Sequence, residues 1–197
     1  QYVIQGLKCA VVHGAQAGGF VVSARAGCEH RDTDGISLFY VPRDTAGVTV
    51  TEYRTYDGQR GADVRFDNAR VPASALIGAA GRGWDILEAS TDYGVALLCA
   101  EAVGAMEAAN ALTLEYLKTR KQFGVPIGTF QVLQHRMADM FMHAEQAKSI
   151  TILAAVKVLT AAPDERRKLV SAAKVRVGKA MRFIGQQAIQ MHGGMGM

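Results

Sequence analysis

The feature that most constrains this chain is a change of hydrophobic period at Gly78-Ala-Ala-Gly-Arg-Gly83. Before it, apolar residues come in short runs rich in β-branched and aromatic side chains: Tyr2-Val-Ile, Lys8 to Val12, Phe20 to Arg25, Ile36 to Val41, Val48 to Thr51 and Asp63 to Phe66. Turn residues separate the runs, which is the pattern of strands. Gln5-Gly6 reads as a tight hairpin turn and Asp32-Thr-Asp-Gly35 as a longer one. An all-β barrel or sandwich follows. In Asn68-Ala-Arg-Val-Pro72 the proline marks where a strand exits, because it has no N–H to give to a ladder.

After the glycines the spacing is three and four. Leu98, Ala102, Ala105, Ala109, Leu112 and Tyr116 form the first stripe, and Leu133, Met137, Met140, Ala144, Ala147, Thr151, Ala154 and Val158 the second. A third helix is expected to start near Pro163, a favourable first-turn residue, and to carry Leu169, Ala173, Val177, Ala180, Ile184, Ala188 and Met191. The fold class is therefore α+β in two domains: a β-barrel or sandwich over residues 1–80, then an up-down helical bundle over 81–197. Three helices of this length leave a groove for a fourth helix or another subunit.

The junction of the first two helices, Arg120-Lys-Gln-Phe-Gly-Val-Pro-Ile-Gly-Thr-Phe-Gln131, is too particular for a connector. Gly124, Pro126 and Gly128 permit or restrict backbone angles at alternate positions, and Arg120 offers a planar fork suited to phosphate or carboxylate. Gly193-Gly194-Met195-Gly196 is not a Rossmann loop, since it closes a helix instead of opening one. A helix C-terminus has the wrong sign for phosphate, so these glycines can give close approach and N–H donors but no positive potential.

Over its 197 residues the chain has net charge +4 and pI near 9.1, with basic residues mostly spread among acids. That favours a small anionic ligand at least as much as nucleic acid. Cys9, Cys28 and Cys99, odd in number and scattered, fit a reducing compartment and are expected to be packing residues. No stretch reads as approaching the roughly 18 apolar residues of a membrane span, and no signal peptide opens the chain, so a cytoplasmic protein is expected. The strand-like start at Gln1 and the stop inside a glycine-rich turn suggest a piece of a longer polypeptide.

The Arg120 to Gln131 run, Gln134-His135 and Gln190-Met-His-Gly-Gly-Met-Gly196, in this order, resemble the acyl-CoA dehydrogenase family across essentially the whole chain. The resemblance implies a middle β domain, incomplete at its N-terminal side, and a truncated C-terminal helical domain. It further implies FAD shared between subunits of a homodimer or homotetramer, an acyl-CoA substrate, electron-transferring flavoprotein as partner, and the mitochondrial matrix as location if the source is eukaryotic. Arg120 matches the arginine at the pyrophosphate, Phe123 the aromatic on the adenine side and Gln131 a polar contact, with Gln122 beside them. Gln190, Gly193 and Gly194 form a second group of cofactor contacts.

The sequence departs from the family where the flavin ring is expected. A tryptophan and a threonine common in the family are here Ala10 and Val12, ahead of Gly14. The backbone N–H and C=O of Val12 remain as a candidate contact. Asp92 matches an aspartate beside the pantetheine of the substrate, while the arginine three residues on is Val95. The catalytic glutamate of most members would lie beyond Met197, and its alternative position is Gly94, so no catalytic residue is assigned. Glu101, seven residues and roughly 10 Å along the helix from Gly94, is expected to be a buried, satisfied acid. His135 and His143 lack the Glu-x-x-His context of a bundle iron site, so no metal is expected, and His13 and His192 stand beside the cofactor motifs by position alone.

The resemblance implies α,β-dehydrogenation of an acyl-CoA thioester, with the electrons passed to the flavoprotein partner. A flavin monooxygenase or oxidase on a similar fold, and a flavin-free oligomeric scaffold, remain as alternatives.

Overall fold

The computed structural model describes residues 1–29 and 31–196. The chain divides into two compact units, Gln1–Glu88 and Ala89–Met197. The first holds β1 (Tyr2–Val12), β2 (Gly19–Arg25), β3 (Ile36–Pro42), β4 (Val48–Arg54), β5 (Arg60–Val71) and a short β6 (Leu76–Ile77). They pair antiparallel into two three-stranded sheets, ordered β1-β5-β4 and β2-β3-β6. Ile4, Val64, Phe66, Ala69 and Val71 of one sheet meet Phe20, Val22, Phe39 and Val41 of the other in one core. The result is a small sandwich, and each of the buried Val, Ile and Phe side chains contributes about 1.5–3 kcal/mol.

Gln5-Gly6 is not a hairpin turn: β1 runs unbroken through it, and a bulge lies opposite. Between the pairs Ile4↔Ala69 and Gly6↔Phe66, β5 carries the extra residue, with Asn68 left-handed at φ 49°. The Gln5 side chain accepts the stranded Asn68 N–H at 2.7 Å. Between Lys8↔Val64 and Val11↔Ala62 the extra residue is on β1, with Ala10 at φ 54°. There the Asp63 carboxylate accepts the Ala10 N–H at 3.0 Å. Each bulge is thus capped by the side chain of the residue facing it.

The second unit takes in most of α1 (Trp84–Thr119) and all of α2 (Gln131–Lys157) and α3 (Pro163–His192). Lys148 on α2 pairs with Glu107 on α1, and Arg136 on α2 donates to Gln187 on α3 at 2.8 Å, which sets consecutive helices antiparallel. Buried alanines at 144, 147, 154, 173 and 180 let the backbones approach around Met106, Met140, Val177 and Ile184. Pro163 opens α3 with Asp164 and Glu165 in its first turn, where acids complement the helix dipole. The stripes of α2 and α3 are the buried faces expected. That of α1 is rotated: Cys99, Val103, Met106, Thr113 and Leu117 are buried, while Leu98, Ala105 and Leu112 are exposed. Apolar residues occur on two sides of α1, so spacing alone could not choose. Thr113 is admitted to the core because its hydroxyl donates to the Ala109 C=O at 2.7 Å.

Three further expectations are corrected. A window of α1 has mean hydropathy 1.4 and is, by length and composition, long and apolar enough to cross a membrane; its alanines and leucines raise the value. Cys9 and Cys28 are exposed and only Cys99 packs, its thiol pushed up by burial. Glu101 is exposed, because its position falls on the outward side of the rotated stripe.

Candidate functional site

The junction after α1 is a built structure. The Arg120 N–H donates to the Tyr116 C=O at 2.8 Å, and the Arg120 C=O accepts from Ile127 at 2.8 Å, closing the loop. Within it, β7 (Lys121–Gln122) and β8 (Val125–Pro126) form a two-residue hairpin with Phe123 at φ 54° and Gly124 at φ 81°. Both central residues are left-handed, as a turn matched to strand twist requires. Thr129 Oγ1 donates to the Pro126 C=O at 2.7 Å and Gln134 Nε2 to the Gly128 C=O at 2.9 Å. A Cβ on Gly128 would sit 2.8 Å from the Leu117 carbonyl oxygen, so only glycine lets the loop lie on α1.

This frame leaves its cations free. Among the described residues, the Arg120 guanidinium and the Lys121 ammonium have no hydrogen-bond or ion-pair partner, and both are exposed. Phe123 is 90% exposed, and its ring meets Phe130 edge-on at 6.2 Å. Gln122 Nε2 donates to the Lys121 C=O at 2.8 Å, which leaves its oxygen outward-available, and Gln131 is the exposed first residue of α2. The helix N-terminus adds positive potential to this end.

The glycine motif arrives at the same end of the bundle. Tyr116, one turn before Arg120, stacks on His192 with ring centroids 4.3 Å apart, and its hydroxyl donates to the His192 C=O at 3.4 Å. His192 Nδ1 donates to the Ala188 C=O at 2.8 Å. Gly193 then ends α3 at φ 59° and ψ −139°, a combination open to glycine because it has no Cβ. A Cβ on Gly193 or Gly194 would meet nothing within 4 Å, whereas one on Gly196 would sit 2.6 Å from the Ile189 carbonyl oxygen. The first two glycines therefore face open space and the last is packed. Gln190 is exposed beside them. Exposed cations and an open glycine turn, held together by Tyr116 and His192, are the parts an anionic ligand needs. In the sequence Tyr116 stands out only as a member of an apolar stripe, and its position four before Arg120 is the one signal of this role.

The remaining candidates lie elsewhere. Val12 is at the end of β1, an edge strand, and is 67% exposed. The His13 N–H donates to the Arg60 C=O at 3.1 Å, which makes Val12↔Gly61 a non-hydrogen-bonded pair. In such a pair the N–H and C=O point away from the partner strand, so those of Val12 face the free edge. Asp92 is half-buried and bonded to Arg166 Nε at 2.8 Å, tying α1 to the start of α3. His143 accepts from Arg176 at 3.1 Å and stacks on Phe183, so it belongs to the α2–α3 contact. Among the described residues, no group of three or more His, Cys, Asp or Glu is placed to hold a metal.

A β-sandwich followed by an antiparallel bundle, with a basic loop and an open glycine turn at one end of the bundle, defines a class that the comparisons identify. Residues 1–69 match the model of the acyl-CoA dehydrogenase middle domain and residues 81–197 that of the acyl-CoA dehydrogenase C-terminal domain. The chain is 35% identical to "Probable acyl-CoA dehydrogenase YngJ" of Bacillus subtilis, over 100% of this chain and 52% of the relative. It is 30% identical to the human mitochondrial short-chain specific acyl-CoA dehydrogenase, over 99% of this chain and 47% of that protein. Among solved structures it resembles PigA with FAD and proline at TM-score 0.91 and 28% identity, covering 100% of this chain and 51% of that one. Butyryl-CoA dehydrogenase from Megasphaera elsdenii is matched at TM-score 0.87 and 28% identity, over 99% and 51%. The chain belongs to the acyl-CoA dehydrogenase family, and it spans about half the length of these relatives.

Proposed function

We propose that the protein containing this chain is an FAD-dependent acyl-CoA dehydrogenase that oxidises the α,β bond of an acyl-CoA thioester and passes the electrons to an electron-transferring flavoprotein. One observation carries the reading: the unpaired Arg120 guanidinium shares an end of the bundle with the open Gly193-Gly194 turn. A diphosphate brings about two negative charges, and an arginine fork with backbone N–H donors suits it. The residues present therefore fit FAD, which would supply the acceptor for the β-hydride when bound.

In this reading Arg120 neutralises the pyrophosphate, Phe123 covers the adenine side, and Gln122, Gln131 and Gln190 supply polar contacts. Gly193 and Gly194 let the cofactor approach main chain. Val12 meets the flavin ring by backbone, and Asp92, oriented by Arg166, lies by the pantetheine arm. The base that takes the α-proton is not assigned to this chain. A site shared between copies requires a homo-oligomer, a dimer or tetramer. Residues 1–80 form the middle domain and 81–197 the helical one, and the exposed thiols of Cys9 and Cys28 suit the reducing cytoplasm or, in a eukaryote, the mitochondrial matrix.

The test uses the full-length protein. Anaerobic addition of an acyl-CoA is expected to bleach the yellow flavin, and the electron-transferring flavoprotein to restore it. A second reading, a flavin oxidase, is favoured by Ala10 and Val12, which remove the tryptophan and threonine expected at the ring. Rapid reoxidation by oxygen in place of the flavoprotein partner would establish it. A colourless full-length protein would favour the scaffold.

A further inference from the structure

We infer that Arg43 and Asp63 are positioning residues for the main-chain contact at Val12, fixing its backbone where neither Ala10 nor Val12 offers a polar side chain. This rests on the reading that Val12 faces the cofactor. Two observations carry the inference independently of the neighbours' names: the outward N–H and C=O of Val12, and the side chains that converge on either flank of it.

Upstream, Ala10 is left-handed and its N–H is taken by Asp63 Oδ1 at 3.0 Å; Tyr53 Oη donates to the same oxygen at 3.2 Å. Downstream, His13 is also left-handed, at φ 57°, and the chain turns through residues 14–17. Arg43 Nη1 gathers that turn by donating to the carbonyls of Gly14 at 3.2 Å, Ala15 at 2.8 Å and Ala17 at 3.4 Å. Its Nη2 donates to Glu52 Oε1 at 3.1 Å, Glu52 Oε2 accepts from Arg60 at 2.5 Å, and the Arg60 C=O accepts the His13 N–H at 3.1 Å. This ring of interactions closes on the turn directly after Val12, and the Asp63 contacts hold the residue two before it. Two left-handed non-glycine residues, Ala10 and His13, within a span of four are costly, and such conformations persist when the surroundings over-determine them.

An edge N–H and C=O on one residue suit a ligand edge that alternates acceptor and donor, as a heteroaromatic ring with amide-like groups does. Such a pair recognises by direction, so its value depends on being held to within a few tenths of an ångström. Side-chain substitution at Val12 should matter less than release of the backbone.

The experiment compares Arg43→Ala, Asp63→Asn and Val12→Ala with Val41→Ala, a fully buried core substitution in the other sheet, in the purified full-length holoprotein. Arg43→Ala and Asp63→Asn are expected to shift the visible flavin bands and to weaken FAD retention about tenfold, the loss of one well-made main-chain hydrogen bond at Val12. Val12→Ala should shift them less. Val41→Ala should lower the melting temperature at least as much and leave bands and retention within about twofold. Arg43→Lys keeps the charge but cannot span the carbonyls and Glu52, so it should resemble Arg43→Ala in the bands. If Arg43→Ala does not fold, Glu52→Gln gives the same comparison. Unmoved bands in both Arg43 and Asp63 variants, or equal shifts in Val41→Ala, would overturn the positioning role alone. Wild-type protein without flavin would overturn the functional reading and the role together.

Discussion

Arg120 is the residue on which the functional reading turns. Arg120→Gln keeps a planar donor but removes the charge, and about 1.5–3 kcal/mol of charged hydrogen bonding should go with it. FAD dissociation measured on the full-length protein should rise about ten- to hundredfold, while the melting temperature of the apoprotein barely changes, since Arg120 is exposed and unpaired. Phe123 makes the opposite trade. A bulky residue at φ 54° is strained, whereas asparagine tolerates that region. Phe123→Asn should therefore raise apoprotein stability by about 1 kcal/mol while weakening FAD binding; calorimetry and a cofactor titration separate the two. Glu52 carries a pH signature. Its hydrogen bond from Arg43, outweighing some desolvation and helped by Arg60, holds the carboxyl below its ordinary value of 4.5. A depressed acid stabilises the fold above its unfolded-state value, and that contribution is lost as pH falls through the lower folded value. Melting curves of wild type and Glu52→Gln should differ near neutrality and converge as pH drops below about 4.5.

At the scale of elements, the Tyr116–His192 stack joins the ends of α1 and α3. Tyr116→Phe keeps the stack and loses only a long hydrogen bond, so FAD affinity should stay within about twofold. Tyr116→Ala forfeits the roughly 0.5–1.5 kcal/mol particular to an aromatic pair and should weaken FAD binding by about three- to tenfold, measured by the same titration. This contact joins positions 76 apart, and no local pattern announces it. The elements themselves were far more legible. Pro163 marks the first turn of α3, and Met140, Ala144, Ala147, Thr151 and Ala154, with Ala173, Val177, Ala180 and Ile184, follow spacings of three and four that give the buried faces of α2 and α3. α1 misled because leucines lie on two sides of it, and Glu101 followed that error outward. Gln5-Gly6 misled because the residue that makes it a bulge partner, Asn68, is 63 positions away. The Arg120 loop could be read because its glycines and prolines act locally. Its lack of an acidic partner could be known only once the helices were placed.

At the scale of the whole chain, the bundle leaves apolar surface uncovered. A groove of about 650 Å³ between α1 and α2 is lined by Leu114, Leu117, Met137, Phe141 and the stem of Lys118. Ile152, Leu153 and Val156 are exposed further along α2. Exposed apolar surface of this extent drives association. Residues 1–197 produced alone should therefore self-associate at micromolar concentration in sedimentation, and Phe141→Glu should shift the distribution toward monomer; a monodisperse monomer in both would show that the groove is harmless when bare. In the sandwich, β1 lies at a sheet border. Its two stitched bulges sit at Asn68 and Ala10, where Gln5 and Asp63 take up the stray amides. A slip of the strand by a single position would undo both stitches at once. The same kinks spoil the straight row of amides that a foreign strand would need as a template, so this border is closed to growth by copying.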